Sequence, residues 1–139
     1  MTEAPSYVIS FYYRKILVPV DGSETSLKAL EFAVDLAQRY GSRVVVAYAK
    51  PKGSIEKEDP IVKAKERLKD TRINVFYKYI EYDPASSSPH SALLREVIEE
   101  GYDLVVIGAR GRTLFGEIGI GSVALSLVVN APISVFIIR

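Results

Sequence analysis

The run Lys15-Ile-Leu-Val-Pro-Val20 is almost wholly apolar and rich in branched side chains, the pattern of a strand buried on both faces. Asp21-Gly-Ser23 breaks it. Ser23 suits a helix N-cap, Glu24 lies in a first turn where the helix dipole favours an acid, and Leu27, Leu30, Val34 and Ala37 recur at helical spacing until Gly41. Val44 to Tyr48 reads as a second buried strand, and Asp59-Pro60 as the N-cap and first residue of a short helix reaching Lys69. From Arg72 to Tyr82 the pattern alternates, with Ile73, Val75, Tyr77 and Tyr79 on one side and Asn74 and Lys78 on the other. That predicts a third strand near a sheet edge. Ser88-Pro89 opens a helix with Leu93, Leu94, Val97 and Ile98 on its apolar face and Gly101 at its end. Leu104 to Gly108 is a fourth buried strand, Ser122 to Asn130 a last helix, and Pro132 starts a final strand.

Five strands alternating with four helices, the strands nearly continuous in apolar residues, predict an α/β domain built on a doubly wound parallel sheet covered on both faces. Right-handed crossovers leave two common strand orders, 2-1-3-4-5 and 3-2-1-4-5. In the second, the switch point falls between strands one and four, whose carboxyl ends carry Pro19-Val20-Asp21 and Gly108-Ala-Arg-Gly111. Ligands of open α/β sheets bind at such a point.

Composition narrows the chemistry. A chain of 139 residues, 48% hydrophobic and 25% charged, is the size and make-up of one globular domain. It has no cysteine, which excludes disulfides, thiolate metal sites and thiol catalysis, and its single histidine argues against a histidine metal cage. The net charge of +1 supplies no global field toward nucleic acid or an anionic membrane. Between Lys50 and Arg72 eight basic residues mix with five acidic ones, as on a solvated helix face. The stretch Tyr7 to Tyr13 is too short for a signal core or a membrane span, so a cytoplasmic protein is expected.

The segment Gly108 to Gly121 carries five glycines and is followed by Ser122 and a helix. Glycine lets backbone approach a ligand closely, and the N–H groups of such a loop and helix start favour an anion such as phosphate. Arg110 and Arg112 add charge to the same loop. The phosphate loop Gly-x4-Gly-Lys-Ser/Thr is absent, and Gly119-Ile-Gly121-Ser-Val-Ala124 matches the dinucleotide fingerprint without its context: a long loop precedes it and no acid follows about 20 residues on.

Gly108, Gly111, Gly121 and Ser122 stand at the spacing Gly-x2-Gly-x9-Gly-Ser/Thr. With the opening block Lys15 to Leu30 and the closing Asn130-Ala-Pro-Ile-Ser-Val, they make residues 15–139 resemble the ATP-binding universal stress proteins. The resemblance implies the order 3-2-1-4-5 in an adenine nucleotide alpha hydrolase-like fold, an ATP (or ADP or AMP) site with Mg2+ shared by the phosphates, and a homodimer through residues 133–138. By position, Pro19, Val20 and Asp21 would line adenine and ribose, Asp21 accepting from ribose hydroxyls. Ala49 would give a backbone contact to adenine, while Gly108 and Gly111 pass under ribose and the first phosphate. Gly121, Ser122 and Val123 would meet the outer phosphates, and Arg110 adds charge. Two departures stand out. The segment between strands two and three is short, and residues 1–13 precede the domain of residues 14–139 as an edge strand, dimer contact or disordered tail.

Three functions compete. The first is a nucleotide-dependent regulatory module in a stress response, with a protein partner still to be named. The second is a slow ATPase, which requires a positioned water and a base. No catalytic residue and no protein-only metal site stand out, and His90, in a first turn, reads as a surface residue. The third is a dimeric interaction protein without nucleotide.

Overall fold

A computed structural model describes residues 13–110 and 120–139. Five strands, β1 (Lys15–Pro19), β2 (Arg43–Pro51), β3 (Val75–Tyr82), β4 (Leu104–Gly108) and β5 (Ser134–Ile138), alternate with four helices. These are α1 (Glu24–Tyr40), α2 (Pro60–Arg67), α3 (Pro89–Glu100) and α4 (Ser122–Asn130). All strand pairs are parallel and the sheet order is β3-β2-β1-β4-β5, the order implied by the family resemblance.

The caps explain why the helices start where they do. Ser23 accepts from the Ser26 N–H, Asp59 from the Ile61 N–H and Ser88 from the Ser91 N–H, in two cases directly before a proline whose missing N–H costs nothing at that position. Gly41 and Gly101 close α1 and α3 in the left-handed region, at φ of 68° and 70°.

Alternate residues of the central strands divide the core. Ile16, Val18, Val44, Val46, Leu104 and Val106 face α1 and α2. Leu17, Val45, Ala47, Val105 and Ile107 face α3 and α4. Both faces are covered, so the central strands are apolar on both sides, while the edge strand β3 has only half-buried and exposed positions.

Four boundaries differ from the pattern-based expectation by two residues or more. β2 runs on past Tyr48 to Pro51, because β3 continues to pair with it as far as Tyr82 opposite Pro51. β3 begins at Val75 rather than Arg72, because its partner β2 offers Val44 opposite Val75 and no residue opposite 72 or 73. α2 stops at Arg67, and Leu68 to Thr71 form turns. β5 starts at Ser134 opposite Leu104, the first residue of β4, which leaves Pro132 outside the ladder. On α3 Ile98 is 61% exposed, and the inward position belongs to Glu96. Among the described residues no helix is long and apolar enough to cross a membrane. The alternatives for residues 7–12 lie outside the described residues.

Candidate functional site

A cleft of about 240 Å³ opens at the carboxyl ends of β1, β2 and β4, where the strand order reverses. Pro19, Val20 and Asp21 enter it from β1, Ala49 from β2, Gly108 and Arg110 from β4, and Gly121, Ser122 and Val123 from the start of α4. Nine of the ten residues singled out from the sequence thus share one wall or another of a single cleft; Gly111 lies outside the described residues.

The β1 turn is held by its own side chains. The Asp21 carboxylate accepts the Ser23 N–H at 2.9 Å and the Ser23 hydroxyl at 2.5 Å, and the Ser26 hydroxyl donates to the Ser23 carbonyl at 2.8 Å. Asp21 therefore does the work of a turn residue while standing in the cleft. A carboxylate has about four lone-pair sites, so a group that holds a turn can also accept from a ligand hydroxyl.

Gly108 has a packing reason that the sequence concealed. A Cβ on it would lie 2.8 Å from both the backbone carbon and the oxygen of Thr25 and 3.0 Å from the Ser26 nitrogen. The glycine lets the end of β4 pass against the first turn of α1, as well as lining the cleft. The Thr25 hydroxyl also donates to the Arg110 carbonyl, and the Gly121 N–H to the Ala109 carbonyl at 2.5 Å. Both ends of the glycine loop are thereby tied to the scaffold. Arg110 itself is exposed.

Gly121 caps α4 in an extended conformation with no side-chain cap bond, and the first turn of that helix, Ser122 to Ala124, lines the cleft, where its dipole favours an anion. For Mg2+, the Ser122 hydroxyl and Asp21 are oxygen donors at the rim, and no group of three or more His, Cys, Asp or Glu gathers as a metal cage among the described residues. That donor set fits a cation carried mainly by phosphate oxygens, as Mg2+ usually is.

The other side of the cleft was missed in the sequence. Tyr48, Pro51, Glu56 and Tyr82 form it, and Pro89 and Leu93 of α3 complete the lining. The hydroxyl of Tyr48, buried to 5% exposure, donates to Glu56. Burial and then the Glu56 carboxylate push the Tyr82 hydroxyl above its ordinary pKa. No spacing motif points to these residues as a set, because they come from β2 and its following loop, the end of β3 and the start of α3, which only the sheet order brings together. His90 sits half-buried at the start of α3, its Nε2 3.2 Å from the Ser88 hydroxyl.

An open, doubly wound sheet with a glycine-loop cleft at its switch point defines a class of α/β ligand-binding protein. The chain belongs to the universal stress protein family, whose model matches residues 12–139. A universal stress protein of Methanocaldococcus jannaschii is 26% identical, the match covering 91% of this chain and 82% of the relative. Two solved structures share the fold. A universal stress protein in complex with cAMP has a TM-score of 0.73 at 21% identity, over 92% of this chain and 98% of its own. One from Archaeoglobus fulgidus in complex with dAMP has a TM-score of 0.70 at 22% identity, over 92% and 99%.

Proposed function

We propose that this protein binds ATP in the cleft between β1 and β4 and acts as a nucleotide-dependent regulatory module of the stress response. The observation that carries the reading is the convergence of Pro19–Asp21, Ala49, Gly108, Arg110 and Gly121–Val123 on one cleft from four separate parts of the chain. The cAMP and dAMP complexes of similar folds support an adenine nucleotide, and ATP is the finer proposal. In this arrangement the first turn of α4 and the Ser122 hydroxyl meet the outer phosphates, with Arg110 as neighbouring charge. Asp21 accepts from the ribose hydroxyls, and Ala49 contacts the base by its backbone. Mg2+ supplies charge neutralisation on the phosphates.

Binding without fast turnover is the favoured form. The two carboxylates lining the cleft among the described residues are Asp21, engaged with Ser23, and Glu56, which lies at the far side from α4. Neither is set to activate a water at the terminal phosphate.

A homodimer through β5 accompanies the reading. β5 pairs with β4 on one side and, among the described residues, ends the sheet. The Ile138 carbonyl accepts from Ala109, so alternation along the strand turns the N–H and C=O groups of Val135 and Ile137 toward the open edge. Sedimentation of the purified protein tests this, a dimer being expected.

The direct test is to purify the protein natively, denature it and identify the released nucleotide by chromatography and mass spectrometry. ATP in near-stoichiometric amount, or a rise in Tm of about 5 °C or more with saturating Mg-ATP, is the expected result. Neither bound nucleotide nor a shift in Tm would leave an interaction protein without nucleotide.

A further inference from the structure

The side of the cleft away from α4 holds a carboxylate that nucleotide binding does not by itself require. Glu56 stands in the loop between β2 and α2, half-buried, and it is held from below by the Tyr48 hydroxyl. Tyr48 has little freedom. Its ring is buried in the core and meets Tyr79 edge-on at a centroid distance of 6.5 Å. The loop that carries Glu56 is tied down as well: the Lys52 N–H donates to the Tyr82 carbonyl at 2.9 Å, and the Ser54 hydroxyl and N–H both donate to the Pro51 carbonyl, at 2.9 and 3.2 Å. The cleft that the carboxylate lines is also walled by the flat or apolar side chains of Tyr82, Pro51, Pro89 and Leu93.

Position decides what such an acid can meet. In the order β3-β2-β1-β4 the loop after β2 lies across β1 from the glycine loop and the start of α4. A nucleotide with its phosphates on α4 and its ribose at Asp21 therefore reaches Glu56 with its base. Facing phosphates, the carboxylate would repel the ligand; facing a base, it acts as a hydrogen-bond acceptor only.

We propose that Glu56, positioned by Tyr48, selects the base of the bound nucleotide by accepting a hydrogen bond from the exocyclic 6-amino group of adenine. The inference rests on the nucleotide reading above. A purine with a 6-carbonyl places an acceptor against the carboxylate, and one with hydrogen at position 6 brings no donor of its own to it. Hydrogen bonds to a charged partner are the stronger ones, and a site built to receive a donor rejects a ligand that lacks it. Tyr82, Pro89 and Leu93 supply the flat apolar surface against which any purine packs, so shape alone does not discriminate.

The test compares ATP with purine riboside 5′-triphosphate, which lacks only the amino group, together with GTP, by calorimetric titration of the intact protein. Wild type is expected to bind ATP at least about tenfold more tightly than the purine riboside nucleotide. Glu56→Ala should bring the two Kd values to within about twofold, mostly by weakening ATP, and Tyr48→Phe should lower the ratio part of the way. A preference for ATP that survives Glu56→Ala, no preference in wild type, or tighter binding of GTP overturns the assignment while leaving nucleotide binding intact. Failure of wild type to bind any of the three overturns the nucleotide reading itself, and Glu56 with it.

Discussion

The Thr25 hydroxyl, in the first turn of α1, donates to the carbonyl of Arg110, so the turn after β1 and the loop after β4 are joined across the cleft. Gly108 makes that junction possible, since a Cβ there would press on the Thr25 carbonyl at 2.8 Å. Both contacting groups are backbone and have no rotamer by which to move aside. Gly108→Ala is therefore expected to destabilise the fold by about 1–3 kcal/mol, read in urea unfolding, and to weaken Mg-ATP binding by displacing the loop. An unchanged midpoint would mean that β4 and α1 separate more easily than their packing implies.

Asp21 carries two duties, and they can be separated. Its carboxylate accepts from the Ser23 N–H and hydroxyl, and in the proposed complex it also accepts from ribose. Asp21→Ala should cost about 0.5–2 kcal/mol of stability through the lost turn and weaken ATP and AMP alike. Asp21→Asn retains an acceptor oxygen for the turn, so most of the stability should return while affinity stays reduced by the missing charge. Equal Kd values for ATP and AMP in wild type and both variants would remove Asp21 from the site.

At the phosphate end, Gly121→Val gives the sharpest steric test. Gly121 is buried at the cap of α4 with φ of −69°, a conformation that any residue adopts, so backbone strain does not confuse the outcome. A branched side chain there would occupy the space proposed for the outer phosphates. ATP affinity should fall at least about a hundredfold with AMP affected less, measured by calorimetry alongside the circular dichroism of the variant. Retained ATP affinity in a folded variant would sink the loop assignment.

The sequence carried the architecture because each element announces itself locally. Ser23, Asp59-Pro60 and Ser88-Pro89 mark helix starts by backbone chemistry that needs no tertiary partner, and the structure caps its helices at those residues. The glycine-loop half of the cleft was legible for a similar reason: Gly108, Gly121 and Ser122 keep a fixed spacing. Tyr48 and Glu56 have no such signature. A tyrosine within a strand and an acid in a charged loop become a pair only when the loop after β2 turns back on the strand that precedes it. Glu96 was hidden by the helical pattern itself, which favours Ile98 for the inward place until Lys78 and Tyr102 are seen to claim the glutamate.

That cluster is the one buried charge pairing between α3 and the sheet among the described residues. Glu96, 7% exposed, accepts from Lys78 at 2.8 Å and from the Tyr102 hydroxyl at 2.7 Å. Burial first, and then the bond to Glu96, pushes the Tyr102 pKa well up. Removing the carboxylate strands a buried hydroxyl, so Glu96→Ala should lose about 2–4 kcal/mol in urea unfolding. Glu96→Gln keeps an acceptor for Tyr102 and should lose about half as much, because Lys78 is partly solvated. Equal losses in the two variants would assign the effect to packing rather than to the hydrogen bond.

Tyr79 and Asp59 make the last prediction, one with a limit at each end of the pH scale. The Tyr79 hydroxyl donates to the carboxylate that caps α2. The bond raises the Tyr79 pKa to about 12. At Asp59 burial acts in the raising direction, but the Tyr79 bond and the Ile61 and Val62 N–H groups outweigh it and hold the carboxyl below its ordinary 3.8. A raised phenol stabilises the fold fully below its ordinary pKa of 10, and the contribution disappears as pH climbs through 12. A lowered carboxyl stabilises above 3.8, and that contribution disappears as pH falls through its native value. With Tyr79 44% exposed, the pair is worth about 1 kcal/mol or less. Wild type should therefore exceed Tyr79→Phe by a constant small margin between about pH 5 and 9, with the two unfolding curves converging toward both extremes. A margin that persists unchanged at pH 12 would show that the ring, and not its hydroxyl, supports α2.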